Sequence, residues 1–194
     1  MCGIIAVLRR PSTRPMPSAS EIATLVDQAQ ELLKKGDLLA LVGSTQLLKE
    51  VDHLLRGGPG LLSFFANPEL ADQLEDRLAL FVETLLSREE VLVAAEKDPE
   101  EVNEAVTEMR DVLWALSRDR IGAYRGVRSL ASNACPPSSA GLTVLLSIEQ
   151  ALRSLDRLEV RGRDSAGLQV TLWGHQKVEL TEGLDALYRS GSTH

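Results

Sequence analysis

The sequence predicts an α+β fold in which an all-α helical bundle lies between two stretches that read as strand. Three observations carry this. Residues 4–8 are an apolar run at the N-terminus. Apolar residues then recur at three- and four-residue steps across 18–130. Polar–apolar alternation takes over in 168–173 and 176–180. The implied division is a first strand at 1–10, a linker at 11–17, the bundle at 18–130, a second linker at 131–141, and a helix, loop and hairpin at 142–194.

Composition narrows the function classes. The 194 residues are 44% hydrophobic and 25% charged with a net charge of −7, the profile of a globular protein. An acidic chain without a clustered basic face is a poor partner for nucleic acid. No apolar stretch approaches the ~20 residues of a membrane span, and the opening residues lack the basic n-region of a secretory signal. Two cysteines, Cys2 and Cys135, make no disulfide scaffold. With His53, His175 and His194 scattered, no metal site and no cofactor are expected. A reducing cytoplasm is the expected compartment.

The elements follow in order. Pro11, Pro15 and Pro17 break the chain after the first strand. Ser18 stands three residues before Glu21, a capping-box spacing, and Ile22, Leu25, Val26, Ala29, Leu32 and Leu33 form one stripe that Gly36 ends. Asp37 caps a second helix through Leu55. Gly57-Gly58-Pro59-Gly60 stops it, and 61–65 is a short apolar turn or helix that plugs the bundle end. Asn67-Pro68-Glu69 starts a third helix running from Leu70 to about Ala95. Asp98-Pro99-Glu100-Glu101 starts a fourth, whose stripe runs from Val102 to Leu116 and Ile121. Loops this short imply an antiparallel bundle of four helices. Met109 and Trp114 are expected in its core, and His53 in solvent. Arg118, Arg120, Arg125 and Arg128 read as a solvated face, with an anion contact as the alternative. Cys135, in the second linker, has no activating neighbour. One further amphipathic helix covers 142–158, and Gly174-His175 turns between the two last strands.

The chemistry-bearing residue is Cys2. Removal of Met1 would leave it with a thiol and a free α-amine, whose pKa of about 7.7–8.0 suits a general base; nucleophile and base then share one residue. The plain alternative is a first strand whose second residue happens to be Cys. Met1-Cys2-Gly3-Ile4-Ile5 is matched later by Leu158-Glu159-Val160-Arg161-Gly162-Arg163-Asp164-Ser165-Ala166-Gly167. Together, in this order, the two motifs resemble the glutaminase domain of the class-II (N-terminal nucleophile) glutamine amidotransferases. Within that family they are most like the isomerising glutamine–fructose-6-phosphate aminotransferases, because a Leu-Glu pair precedes the Arg-Gly motif. Arg163 departs from the tyrosine usual there. Amidophosphoribosyltransferases are the nearest alternative.

The resemblance implies a partial αββα hydrolase fold interrupted by the helical bundle. It also implies an activity: glutamine hydrolysis to glutamate and ammonia, which aminates fructose 6-phosphate to glucosamine 6-phosphate. Cys2 would be nucleophile and base. Arg161, Gly162, Asp164 and Ser165 would organise the loop beside it, although Asp164 and Ser165 read equally well as loop caps. L-glutamine is the implied substrate. The family's oxyanion and glutamine-holding segments do not occur by residue 194. The resemblance therefore implies the first part of a larger enzyme, weakly active alone, completed in cis or trans by the rest of the glutaminase and by sugar-phosphate isomerase domains. The competing reading is a non-catalytic binding or homo-oligomerisation module built on the bundle.

Overall fold

The computed structural model describes residues 6–9, 12–95, 99–131, 138–159 and 169–171. The chain divides into two units, Met1–Arg163 and Asp164–His194. In the first, α1 (Ala19–Leu33) opens where the Ser18 hydroxyl accepts the Glu21 N–H at 3.1 Å, and it buries Ile22, Val26, Ala29 and Leu33 along one stripe. Gly36, at φ +79°, turns the chain, and Arg88 fills the space a Cβ would need. Asp37 Oδ1 then accepts the Ala40 N–H at 2.7 Å and starts α2 (Leu38–Leu54). Two polar residues enter the α1–α2 contact with their hydroxyls satisfied. Ser44 donates to the Ala29 carbonyl at 2.8 Å and Thr45 to that of Leu41 at 2.9 Å.

A short helix, α3 (Gly57–Ala66), crosses the end of this hairpin, and Ser63 donates to the Pro17 carbonyl at 2.9 Å. The second hairpin is α4 (Leu70–Ala95) and α5 (Pro99–Trp114). α1 packs on α2 and α4, and α5 packs on α2 and α4, which closes a four-helix square around Leu48, Val51, Leu74, Phe81, Val102 and Met109. Cross-helix pairs fix the directions. Asp27 meets Arg77 and Gly36 meets Arg88, so α1 and α4 run parallel. Lys49 meets Glu108 at 2.8 Å and Asp52 meets Arg120 at 2.9 Å, so α2 runs parallel to α5 and its continuation. The two antiparallel hairpins therefore lie side by side in the same sense. The all-antiparallel order read from loop length does not hold between spatial neighbours, because α3 carries the chain diagonally across the end where α2 finishes and α4 starts beside α1.

α5 does not stop at Trp114. A π-helical turn, Ala115–Ile121, joins it to α6 (Gly122–Leu130), with αR dihedrals at both junctions. Leu116 and Ile121 are both buried although five positions apart, so the wide turn absorbs one residue and re-phases the apolar stripe. The last helix, α7 (Ser139–Glu159), packs against α3 and α6. Tyr124 of α6 stacks on Phe64 at 5.1 Å between centroids and meets Phe65 edge-on at 5.3 Å, which ties α3 to α6.

The α+β expectation is overturned: every regular element among the described residues is a helix. The αββα hydrolase fold is accordingly not supported, and the described protein is all-α. Residues 6–9 and 169–171, both expected in strands, belong to no helix or strand. An extended run becomes a strand only when a second strand takes its N–H and C=O groups, and an apolar or alternating pattern does not itself supply that partner. The other residues of the expected strands lie outside the described ones. α7, expected inside the mixed portion, is docked on the helical body instead. Trp114 is 52% exposed, not core, because the stripe phase turns Leu113 and Leu116 inward.

Two glycines of α6 face side chains of α7. A Cβ on Gly126 would lie 2.7 Å from Glu149 Cγ and 2.9 Å from its Cδ, whereas one on Gly122 would meet only the tip of the Arg153 guanidinium, at 2.8 Å. Gly126→Ala is expected to cost about 1 kcal/mol net, crowding of about 2 outweighing a helix-propensity gain of about 1. Gly122→Ala, meeting a movable tip, is expected to be neutral or stabilising. Urea unfolding of the two variants checks this ordering.

Candidate functional site

The residues expected to carry chemistry, Cys2, Arg161, Gly162, Asp164 and Ser165, all lie outside the described residues, as do Cys135, Arg163, His175 and His194. The structure describes the frame from which those segments depart. The α2–α3 junction is its centre. Arg14 donates Nη1 to the His53 carbonyl at 2.7 Å and Nη2 to the Arg56 carbonyl at 2.5 Å, capping the end of α2. Arg9 Nη1 lies 3.9 Å from where a Cβ of Gly57 would stand, and Thr143 Oγ1 lies 3.8 Å from that of Gly58. The segment that enters the helical body and the helix that leaves it thus both approach the same pair of adjacent glycines. Arg9 Nε is buried with no acceptor among the described residues, and burial lowers the guanidinium's pKa.

Two buried carboxylates flank the π-turn. Asp52 of α2 accepts from Arg56 Nε at 2.9 Å and Nη2 at 2.6 Å, and from Arg120 Nε at 2.9 Å on its other oxygen. Glu149 of α7 pairs with Arg153, whose Nη1 also donates to the Arg118 carbonyl at 2.6 Å. Burial pushes the Glu149 carboxyl above the ordinary glutamate range. Arg153 opposes that shift, and Asp119 adds to it. Arg125 bridges Asp72 and Glu75 on the surface and holds the Glu75 carboxyl below its usual range. Of the four arginines read as a solvated face, Arg118, Arg125 and Arg128 are exposed, Arg125 bridging surface carboxylates, while Arg120 clamps the buried Asp52.

Sequence reading missed Asp52 and Glu149. The available signal was an arginine four residues on, Arg56 and Arg153, the spacing at which helical side chains meet. Beside the π-turn lies a cavity of about 20 Å³ lined by Leu55, Phe64, Asp119, Arg120, Tyr124 and Gln150. That is room for about one water, against the ~300 Å³ or more of a small-molecule site. The described residues offer this cavity no metabolite, and no group of three or more His, Cys, Asp or Glu among them could hold a metal. No described helix is long and apolar enough to cross a membrane.

No family model, curated protein or solved structure matches the chain.

Proposed function

We propose that the chain is the glutamine-hydrolysing N-terminal segment of a glutamine-dependent amidotransferase, carrying helices α1–α6 as an inserted, non-catalytic module. Cys2 is the nucleophile toward L-glutamine, and Arg161, Gly162, Asp164 and Ser165 organise the loop beside it. The ammonia goes to fructose 6-phosphate in isomerase domains supplied in cis or trans. A thiolate nucleophile needs a reducing compartment, so the reading includes a cytoplasmic location. The observation that carries the insertion is the approach of Arg9, before α1, and Thr143, after α6, to the adjacent glycines Gly57 and Gly58, since a module whose flanking segments lie near each other can interrupt a host with little disturbance. The assignment of chemistry rests on the two motifs and takes nothing from a strand-containing fold.

The test is covalent labelling. In a chloroketone analogue of glutamine, the Cys2 thiolate displaces chloride and forms a C–S bond. Peptide mass spectrometry is expected to find the adduct on Cys2, protected by excess L-glutamine and absent in Cys2→Ala. Equal labelling of Cys2 and Cys135, unaffected by glutamine, would sink the proposal. A second reading, a helical binding or homo-oligomerisation module without catalysis, rests on the all-helical core of the described residues. It gains if labelling fails and the protein self-associates at micromolar concentration in light scattering.

A further inference from the structure

We propose that Glu149 is a proton latch that docks α7 onto the π-turn and α6, fastening the helix when the carboxyl is protonated and loosening it when ionised. The Glu149 side chain is 6% exposed. One oxygen meets Arg153, and the other, Oε2, is buried with no hydrogen-bond partner among the described residues. A buried, half-satisfied carboxylate costs far more charged than neutral.

The groups around it are few. From the π-turn come Arg118, Asp119 and Arg120; from α7 itself, Arg153 and Asp156; from α6, Arg125 and Arg128. α3 carries no charged residue. Of these, Arg120 is committed to Asp52, and Arg125 to Asp72 and Glu75. Arg128 is exposed. Arg153 remains to oppose the burial, while Asp119 reinforces it. An acid favoured in its neutral form by the docked state stabilises docking fully below the ordinary glutamate range. It gives that stability up as the pH rises through its raised value.

α7 ends at Glu159, directly before the Arg161-Gly162 motif. If the amidotransferase reading holds, the latch makes the anchoring of the helix that leads to that motif a pH-dependent input to the site; this consequence alone rests on that reading. The test needs no enzyme activity, so the two can fail separately. Hydrogen exchange of the α7 amides in the full chain, corrected for intrinsic rates, is expected to lose several-fold in protection as the pH rises from below the ordinary glutamate range to pH 8. Glu149→Gln is expected to hold its protection nearly constant. Matching profiles in the two proteins overturn the proposal. Should Glu149→Gln not fold, carbon-detected titration of the wild-type Glu149 carboxyl decides: a midpoint above the ordinary range of about 4.3 supports the latch, and one at or below it overturns it.

Discussion

Deleting Ser117 is expected to leave the protein folded, whereas deleting Glu108 from the same continuous helix is expected to unfold it. In α5 the buried positions are Val102, Ala105, Val106, Met109, Val112 and Leu113, followed by Leu116, all at three- and four-residue steps. The next buried residue is Ile121, five on, and then come Ala123, Tyr124 and Val127. Each residue of an α-helix turns it by about 100°. Five would carry Ile121 well off the core face, and the π-turn takes up that excess through the Gly122 N–H to Ser117 carbonyl bond. Without Ser117, Leu116 and Ile121 stand four apart, an ordinary α-helical step. Arg118 and Arg120 keep their places relative to Ile121. Without Glu108, everything beyond it rotates by about 100° against the core, so the Met109 and Leu113 positions turn outward and charged neighbours turn in, at a cost of several kcal/mol each. Thermal unfolding followed by circular dichroism reads both. A melting point within a few degrees of wild type for the Ser117 deletion, and no cooperative transition for the Glu108 deletion, is the expected pair; equal damage from both would refute the re-phasing argument.

The local grammar of the helices was legible because each signal is satisfied within a few residues. Ser18 and Asp37 cap the helices they precede, and Gly36 turns with positive φ. Features that depend on distant residues were not. Gly57-Gly58-Pro59-Gly60 reads as a stop, yet it is the first turn of α3. Proline is tolerated there because first-turn N–H groups lack intrahelical partners, and Gly60 is needed because the Leu55 backbone occupies the space of a Cβ. The parallel placement of the two hairpins follows from that crossing, and loop length alone could not reveal it. The π-turn was visible in principle as the five-residue step from Leu116 to Ile121. A helix scan takes such a step for the end of a stripe.

The expected strands failed for a different reason. Residues 6–9 and 169–171 have the composition of strands, but pairing is a property of two segments and no single one encodes it. Buried acids were the other blind spot. A carboxylate in a helix is solvated by default, so Asp52 and Glu149 stand out only once the helices carrying Arg120 and Asp119 are in place. The motif residues from Cys2 to Ser165 were the most legible part of the sequence chemically. They lie beyond what the fold describes, so the case for them remains one of chemistry and order along the chain.

Asp52→Ala is expected to destabilise the protein by about 3 kcal/mol, a fall of roughly 6–12 °C in Tm for a chain of this size. Asp52 is 5% exposed in its side chain and joins α2 to the π-turn through Arg120, itself 17% exposed. Its other partner, Arg56, is 59% exposed and loses little, since water replaces the carboxylate. The loss therefore falls on Arg120, left as a largely buried, unpaired cation beside Leu55 and Tyr124 in the small cavity. That origin makes a further claim. If the damage is an uncompensated charge, removing the charge must repair much of it. Asp52→Ala with Arg120→Met is expected to recover at least half of the stability lost by Asp52→Ala alone, because replacing a buried pair by apolar groups of similar volume is often neutral. Asp52→Asn, which keeps a hydrogen-bond acceptor without the charge, is expected to fall between wild type and Asp52→Ala. Urea unfolding of the four proteins settles the origin. Losses that simply add in the double variant would mean that Asp52 and Arg120 act independently, and that the carboxylate does not hold the π-turn to α2.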